Sequence, residues 1–104
     1  FFDLKHDSGG LVDVEFLIQY LVLGHSHTHP QLTGNLGNIA LLRMAGELDL
    51  IPLALATTCA DSYRELRRLQ HRQRLNDLQS RVPLEEAEAA RRPVIALWRN
   101  VFGE

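Results

Sequence analysis

Two glycines, Gly9 and Gly10, stand directly before an apolar run that itself carries Asp13 and Glu15. Glycine has no side chain, so these two amides could approach an anion at a helix start, where free N–H groups and the helix dipole favour negative charge. Lys5, just upstream, could add a cation to the same place. The residues also fit a purely local arrangement, with Gly10 opening the helix and Asp13 acting as the acid three positions on in a capping-box-like pairing. Asp13 and Glu15 are two positions apart, about 200° around a helix, so an intact helix cannot use them as a paired acid and base. Glu15 and Gln19, four apart, do share a face. A carboxylate in so apolar a helix is costly to bury unpaired. Glu15 therefore needs an arginine, a metal-bearing neighbour or an opening to water, and a salt bridge to the arginines between positions 64 and 74 is the plainest answer.

Two further groups of side chains invite chemistry. "HSHTH" places His25, His27 and His29 in alternation, which would align them only on a strand, and they fall in a loop with no cysteine or acid nearby. Zinc sites usually bring two ligand pairs at defined spacing, so solvated loop histidines are the simpler reading. The stretch "RELRRLQHRQR", residues 64 to 74, holds Arg64, Arg67, Arg68, His71, Arg72 and Arg74. It reads either as a solvated helix face or as a docking surface for an acidic neighbour. Arg67 and His71, four apart, project together and could reach phosphate or carboxylate groups jointly. No Ser/His/Asp arrangement, no GxxxxGK loop and no strand-borne pair of acids completes a catalytic set.

The elements that must position these residues are helical. From Leu11 to Leu23 ten of thirteen residues are apolar, which predicts a largely buried helix. Gly24, Pro30 and Gly34 punctuate the loop that follows. A second helix is predicted from about Leu36 to Leu48, with Asn35 as N-cap and Ile39, Leu42, Met44 and Ala45 inward. Pro52 suits the first turn of a long third helix continuing to about Leu78. Leu55, Cys59, Tyr63, Leu66 and Leu69 keep the spacing of one buried stripe, which turns polar at Gln70 and Gln73 as though the helix outran the core or met a partner. "SRVP", residues 80 to 83, is a break, and residues 1 to 6 are an extended lead-in. Glu85 to Phe102 is the last helix, with Val94, Leu97, Trp98 and Val101 inward and Pro93 expected to bend it or start it afresh. No strand pattern is found. The expected class is all-α: one domain over residues 1–104, a bundle of four to five helices.

Composition narrows the function classes. An apolar fraction of 45% and a charged fraction of 23% are those of an ordinary globular domain of 104 residues. The net charge of −2 does not suit a nucleic-acid module. Residues 1–50 carry −4 and residues 51–104 carry +2. No apolar run reaches the roughly 18 residues of a membrane span, and no charged-then-apolar stretch with a cleavage site points to secretion. The single cysteine, Cys59, suits a reducing compartment and reads as a small buried hydrophobe. These features point to the cytoplasm. A chain that begins at Phe1 without an initiating Met is expected to be a piece of a longer polypeptide.

"FDLKHDSGGLVDVEFLIQYLVL" closely resembles the segment just after the catalytic core in the family of bacterial glutamine synthetase adenylyltransferases, bifunctional enzymes that add and remove AMP. "HPQLTGNLGNIALLRMA", "SYRELRRLQHRQRL" and "VIALWRNVFGE" extend the resemblance over nearly the whole chain. The resemblance implies a parent with two nucleotidyltransferase domains of the DNA polymerase β type, each followed by a helical domain. One removes AMP from a tyrosine of glutamine synthetase by phosphorolysis, the other attaches it from ATP, and the PII signal protein and glutamine set the balance. "LVDVEF" and the "LW…FGE" finish are similar to the helical region ending the adenylylating half. PII uridylyltransferase shares a looser outline.

The resemblance further implies that Lys5, Gly9, Gly10, Asp13 and Glu15 face the nucleotidyltransferase cleft, with Tyr63, Arg67 and His71 as a second patch. Magnesium and ATP belong to the intact enzyme, whose catalytic aspartates would lie upstream of Phe1, so this stretch by itself is expected to be inactive and to bind no metal. Gly37 and Ala40 depart from the family, which often has an acid and an arginine there. A non-catalytic helical module docking a regulator such as PII is the alternative. Partners expected on either reading are the preceding domain, glutamine synthetase or PII, with no nucleic acid and no membrane.

Overall fold

A computed structural model describes residues 1–34 and 36–103. Four α-helices carry the fold: α1 Leu11–His25, α2 Asn38–Glu47, α3 Leu53–Leu75 and α4 Leu84–Phe102. The long α3 is the centre, packed against α2 on one side and α4 on the other, while α1 closes over all three. Leu17 and Ile18 of α1, Leu42 of α2, Leu66 of α3 and Leu97 of α4 meet in the core, each no more than 1% exposed. None of the described helices is long and apolar enough to cross a membrane.

Several local expectations are corrected. Two strands exist, β1 Phe2–Asp3 and β2 Arg81–Val82, paired antiparallel with Phe2 opposite Val82 and Asp3 opposite Arg81. Two residues each are too few to show a period. The pairing comes from burying Phe2 and Val82 in the core, and the Leu4 N–H extends it to the Ser80 carbonyl at 2.8 Å. The helix α2 starts at Asn38 behind Gly37, and the expected cap Asn35 lies outside the described residues. Pro52 precedes α3 with extended ψ of 130° rather than joining its first turn. That helix stops at Leu75, three residues early, because the chain turns left-handed at Asp77 with φ 54°.

Gln73 is not a sign of a helix leaving the core. It is 7% exposed, and its side-chain amide donates to the carbonyls of Gln79 at 3.0 Å and Arg81 at 2.9 Å. A polar residue thus continues the buried stripe and ties the break between α3 and α4 to the helix. The last helix runs through Pro93 without restarting. The carbonyl deprived of a donor there belongs to Ala89, an exposed residue whose carbonyl water can serve.

The expectation of a largely buried α1 also needs correction. One face, Leu11, Val14, Leu17, Ile18 and Leu21, is buried, while Phe16 and Tyr20 remain about half exposed at 53% and 49%. Their rings lie beside α4, with Phe16–Trp98 centroids 5.7 Å apart and Tyr20–Phe102 centroids 4.8 Å apart. The helix also passes Gly24 and ends at His25, one of the three histidines assigned to the loop.

Candidate functional site

The polar end of the bundle is built on the turn between β1 and α1. The Asp3 carboxylate accepts the backbone N–H groups of Lys5 at 2.9 Å and His6 at 3.1 Å, and Asp7 accepts that of Asp3 at 2.9 Å. Burial acts to raise the Asp3 carboxyl, but these amides and the His6 ring outweigh it and hold it below the usual carboxylate value. Four successive amides at the entry to α1 are engaged within the chain: Gly9 with Asp13 Oδ2 at 2.8 Å, Gly10 with Asp7 O at 2.8 Å, Leu11 with Leu4 O at 2.8 Å and Val12 with Lys5 O at 3.0 Å. Asp13 therefore acts as the acid of a local capping arrangement.

The two glycines are explained by the same turn. Gly9 has φ 86°, and a Cβ on it would lie 3.0 Å from the Arg91 carbonyl oxygen of α4. A Cβ on Gly10 would lie 2.7 Å from the Leu4 carbonyl oxygen. The close approach they permit is made to this chain's own backbone.

Asp13 and Glu15 diverge as their spacing requires. Asp13 lines a cleft of about 260 Å³ with Ser8, Ile95, Trp98 and Arg99. Glu15 lines another, of about 240 Å³, with Lys5 and Leu11 on its side and Tyr63, Arg67, Gln70 and Arg74 on the side of α3. Positions 63, 67, 70 and 74 advance by four, three and four, so α3 presents them as one stripe. Tyr63 is only 3% exposed and brings its hydroxyl from the core to the cleft. That hydroxyl accepts from Asn38 Nδ2 at 2.9 Å and from an Arg67 guanidinium nitrogen at 3.5 Å, and donates to Glu15 Oε2 at 3.5 Å. The guanidinium also lies 5.8 Å from the centre of the Tyr63 ring. Glu15 is exposed, so water and Tyr63 serve it, in place of the expected arginine salt bridge.

The arginines of α3 divide into two sets. Arg64 pairs with Asp61 at 3.5 Å, Arg68 with Glu65 at 2.7 Å and Arg72 with Glu86 at 3.2 Å. The Arg68 hydrogen bonds hold the Glu65 carboxyl below its usual value. Among the described residues, Lys5, Arg67 and Arg74 have no carboxylate within salt-bridge distance. All three line the cleft of Glu15.

Of the expected site residues, the structure thus gathers Lys5, Glu15, Tyr63 and Arg67. Gly9 and Asp13 are turned toward α4, Gly10 faces the Leu4 and Asp7 carbonyls of its own turn, and His71 is exposed outside the cleft lining. Asn38, Gln70 and Arg74 were missed as members of the site. The signal for the last two was the stripe continuing from Arg67, whereas only tertiary packing brings Asn38 to Tyr63. Among the described residues, no group of three or more His, Cys, Asp or Glu could hold a metal ion. Cys59 is fully buried and its thiol is pushed up to about 12 by that burial, so it is a packing residue.

Fold and cleft together define a helical domain that presents a cationic, tyrosine-centred cleft. The chain belongs to the GlnD PII-uridylyltransferase family, whose model matches residues 2–97. It is similar to the bifunctional glutamine synthetase adenylyltransferase/adenylyl-removing enzyme of Aromatoleum aromaticum, with 74% identity over 98% of this chain and 11% of the relative. The enzymes of that name from Bordetella bronchiseptica and Nitrosomonas europaea are 56% and 48% identical, over 97% and 98% of this chain and 11% and 13% of their own lengths. The chain thus spans about a ninth of the length of these relatives. No solved structure matches it.

Proposed function

We propose that this chain serves as a single helical domain of a glutamine synthetase adenylyltransferase, set beside a nucleotidyltransferase domain whose transfer of AMP from ATP to glutamine synthetase it supports. The observation that carries this reading is the gathering of Lys5, Glu15, Tyr63 and Arg67 in one cleft, from segments that resemble the adenylyltransferase family. The residues here do not fit a magnesium site, for the described acids form no ligand cluster. The metal therefore belongs to the neighbouring catalytic domain in this proposal, and no step is routed through it here. What these side chains can do is orient. Asn38 fixes the Tyr63 hydroxyl, which holds Glu15 and Arg67 toward the cleft mouth.

The test is AMP transfer to glutamine synthetase by the intact polypeptide carrying Tyr63→Phe or Glu15→Gln. Transfer reduced about tenfold, with a fall in melting temperature no larger than the roughly 4–8 °C that losing one hydrogen bond causes, supports the reading. Unchanged transfer in both variants sinks it. In the cytoplasmic setting proposed here, the 104 residues by themselves transfer no AMP.

A second reading, a docking module for a regulator such as PII, is favoured by the half-exposed Phe16 and Tyr20 and their ring contacts with Trp98 and Phe102. Phe16→Ser would then abolish the PII response while leaving basal AMP transfer intact.

A further inference from the structure

We propose that the cleft between Lys5, Arg67 and Arg74 is a binding site for an oligophosphate chain. The inference deepens the reading above by naming the ligand chemistry of its cleft, and it rests on that reading only for where the anion comes from.

Charge is the first argument. The cleft holds three cations against one carboxylate, Glu15. Among the arginines of α3 the contrast is plain: Arg64, Arg68 and Arg72 each have a carboxylate partner, and Arg67 and Arg74 do not. Cations left unpaired beside one another repel, and a bound polyanion relieves that repulsion.

Spacing is the second argument. Arg67 and Arg74 are two turns apart on one face of α3, about 10 Å along its axis. A single phosphate would have to draw both guanidinium groups to one point, whereas a chain of two or three phosphates can lie along the stripe between them. Guanidinium forks and an ammonium suit phosphate oxygens as charge-assisted donors. The third argument is the neutral lining. Gln70 stands between the two arginines as a further amide donor, and the buried Tyr63 closes the floor with its hydroxyl. Glu15 opposes the ligand and limits its affinity, so the cleft releases the anion readily.

Inorganic phosphate, pyrophosphate, tripolyphosphate and ATP are titrated into the chain, and backbone amide shifts are followed by NMR. Expected are saturable shifts at Lys5, Arg67, Gln70 and Arg74, with tripolyphosphate binding more tightly than pyrophosphate and pyrophosphate more tightly than phosphate. Arg67→Gln and Arg74→Gln each weaken tripolyphosphate binding about tenfold, the loss of one charge-assisted hydrogen bond. Glu15→Gln tightens it, and Arg92→Gln, on an exposed pair elsewhere, leaves it unchanged. ATP binding more tightly than tripolyphosphate assigns the chain to a nucleotide; equal binding assigns the cleft to the free polyphosphate.

Absence of saturation by tripolyphosphate overturns the proposal, as do equal affinities in Arg67→Gln and the parent, or shifts spread over every arginine, an adventitious ion only. Lost binding with AMP transfer still sensitive to Tyr63→Phe removes this proposal and spares the reading above. Retained binding with transfer insensitive to every cleft variant does the reverse.

Discussion

Asn38 Nδ2 donates to the Tyr63 hydroxyl across 2.9 Å, joining the first residue of α2 to the middle of α3. Through that hydroxyl the bond reaches Glu15 of α1 and Arg67, so three helices share one polar junction at the rim of the core.

Tyr63→Phe and Asn38→Ala each remove one partner of this bond and are expected to cost about 1 kcal/mol, or roughly 4–8 °C in melting temperature for a domain of this size. Because they break the same contact, the double variant should lose less than the two single losses added together. Strict additivity in denaturant unfolding would show that the bond contributes nothing.

The glycines should differ sharply. A Cβ at Gly10 meets the Leu4 and Asp7 carbonyl oxygens at 2.7 and 2.9 Å, both backbone atoms held by hydrogen bonds of the turn. Gly10→Ala is therefore expected to destabilise by about 1–3 kcal/mol. Gly24, inside α1, has nothing within 4 Å of the place a methyl group would occupy, so Gly24→Ala should stabilise by up to about 1 kcal/mol. Thermal unfolding of the two variants reads both signs.

Gln73→Leu keeps the bulk but withdraws both donors from Gln79 O and Arg81 O. Two carbonyls lose their partner, each at about 1–3 kcal/mol where water cannot replace it. Amide exchange at Leu4, whose N–H bonds Ser80 O in the same break, should accelerate more than exchange in the middle of α3.

Acid should loosen the turn that carries Lys5. The folded Asp3 carboxyl lies below its ordinary value of 3.8, so between those two values the unfolded chain binds more protons and stability rises with pH. The contribution is complete above about pH 4 and is lost as pH falls through the folded value. Asp3→Asn should remove that part of the acid dependence. An identical pH profile in wild type and variant would rule out a stabilising Asp3 turn.

The helical pattern of this chain was legible because each helix repeats its apolar positions over many turns. The run from Leu11, the stripe through Cys59, Tyr63, Leu66 and Leu69, and the inward Val94 and Leu97 all lie where spacing placed them. The opposite directions of Asp13 and Glu15 were equally legible, since they follow from helical geometry. The β1–β2 pair, the buried Gln73 and the Asn38–Tyr63 bond were not, for each joins positions distant in sequence through side chains with no local period.

Sequence by itself determined which faces are apolar, because hydrophobic periodicity is a local property that every turn repeats. It also determined the family, through residues that run nearly the length of the chain. Only the tertiary structure decided that Arg72 of α3 meets Glu86 of α4 and that Arg67 and Arg74 line a cleft with Lys5, for Arg64–Asp61 and Arg68–Glu65 pair at local helical spacing. Contacts between helices depend on distances of a few ångströms, and those distances exist only once α1, α3 and α4 have packed.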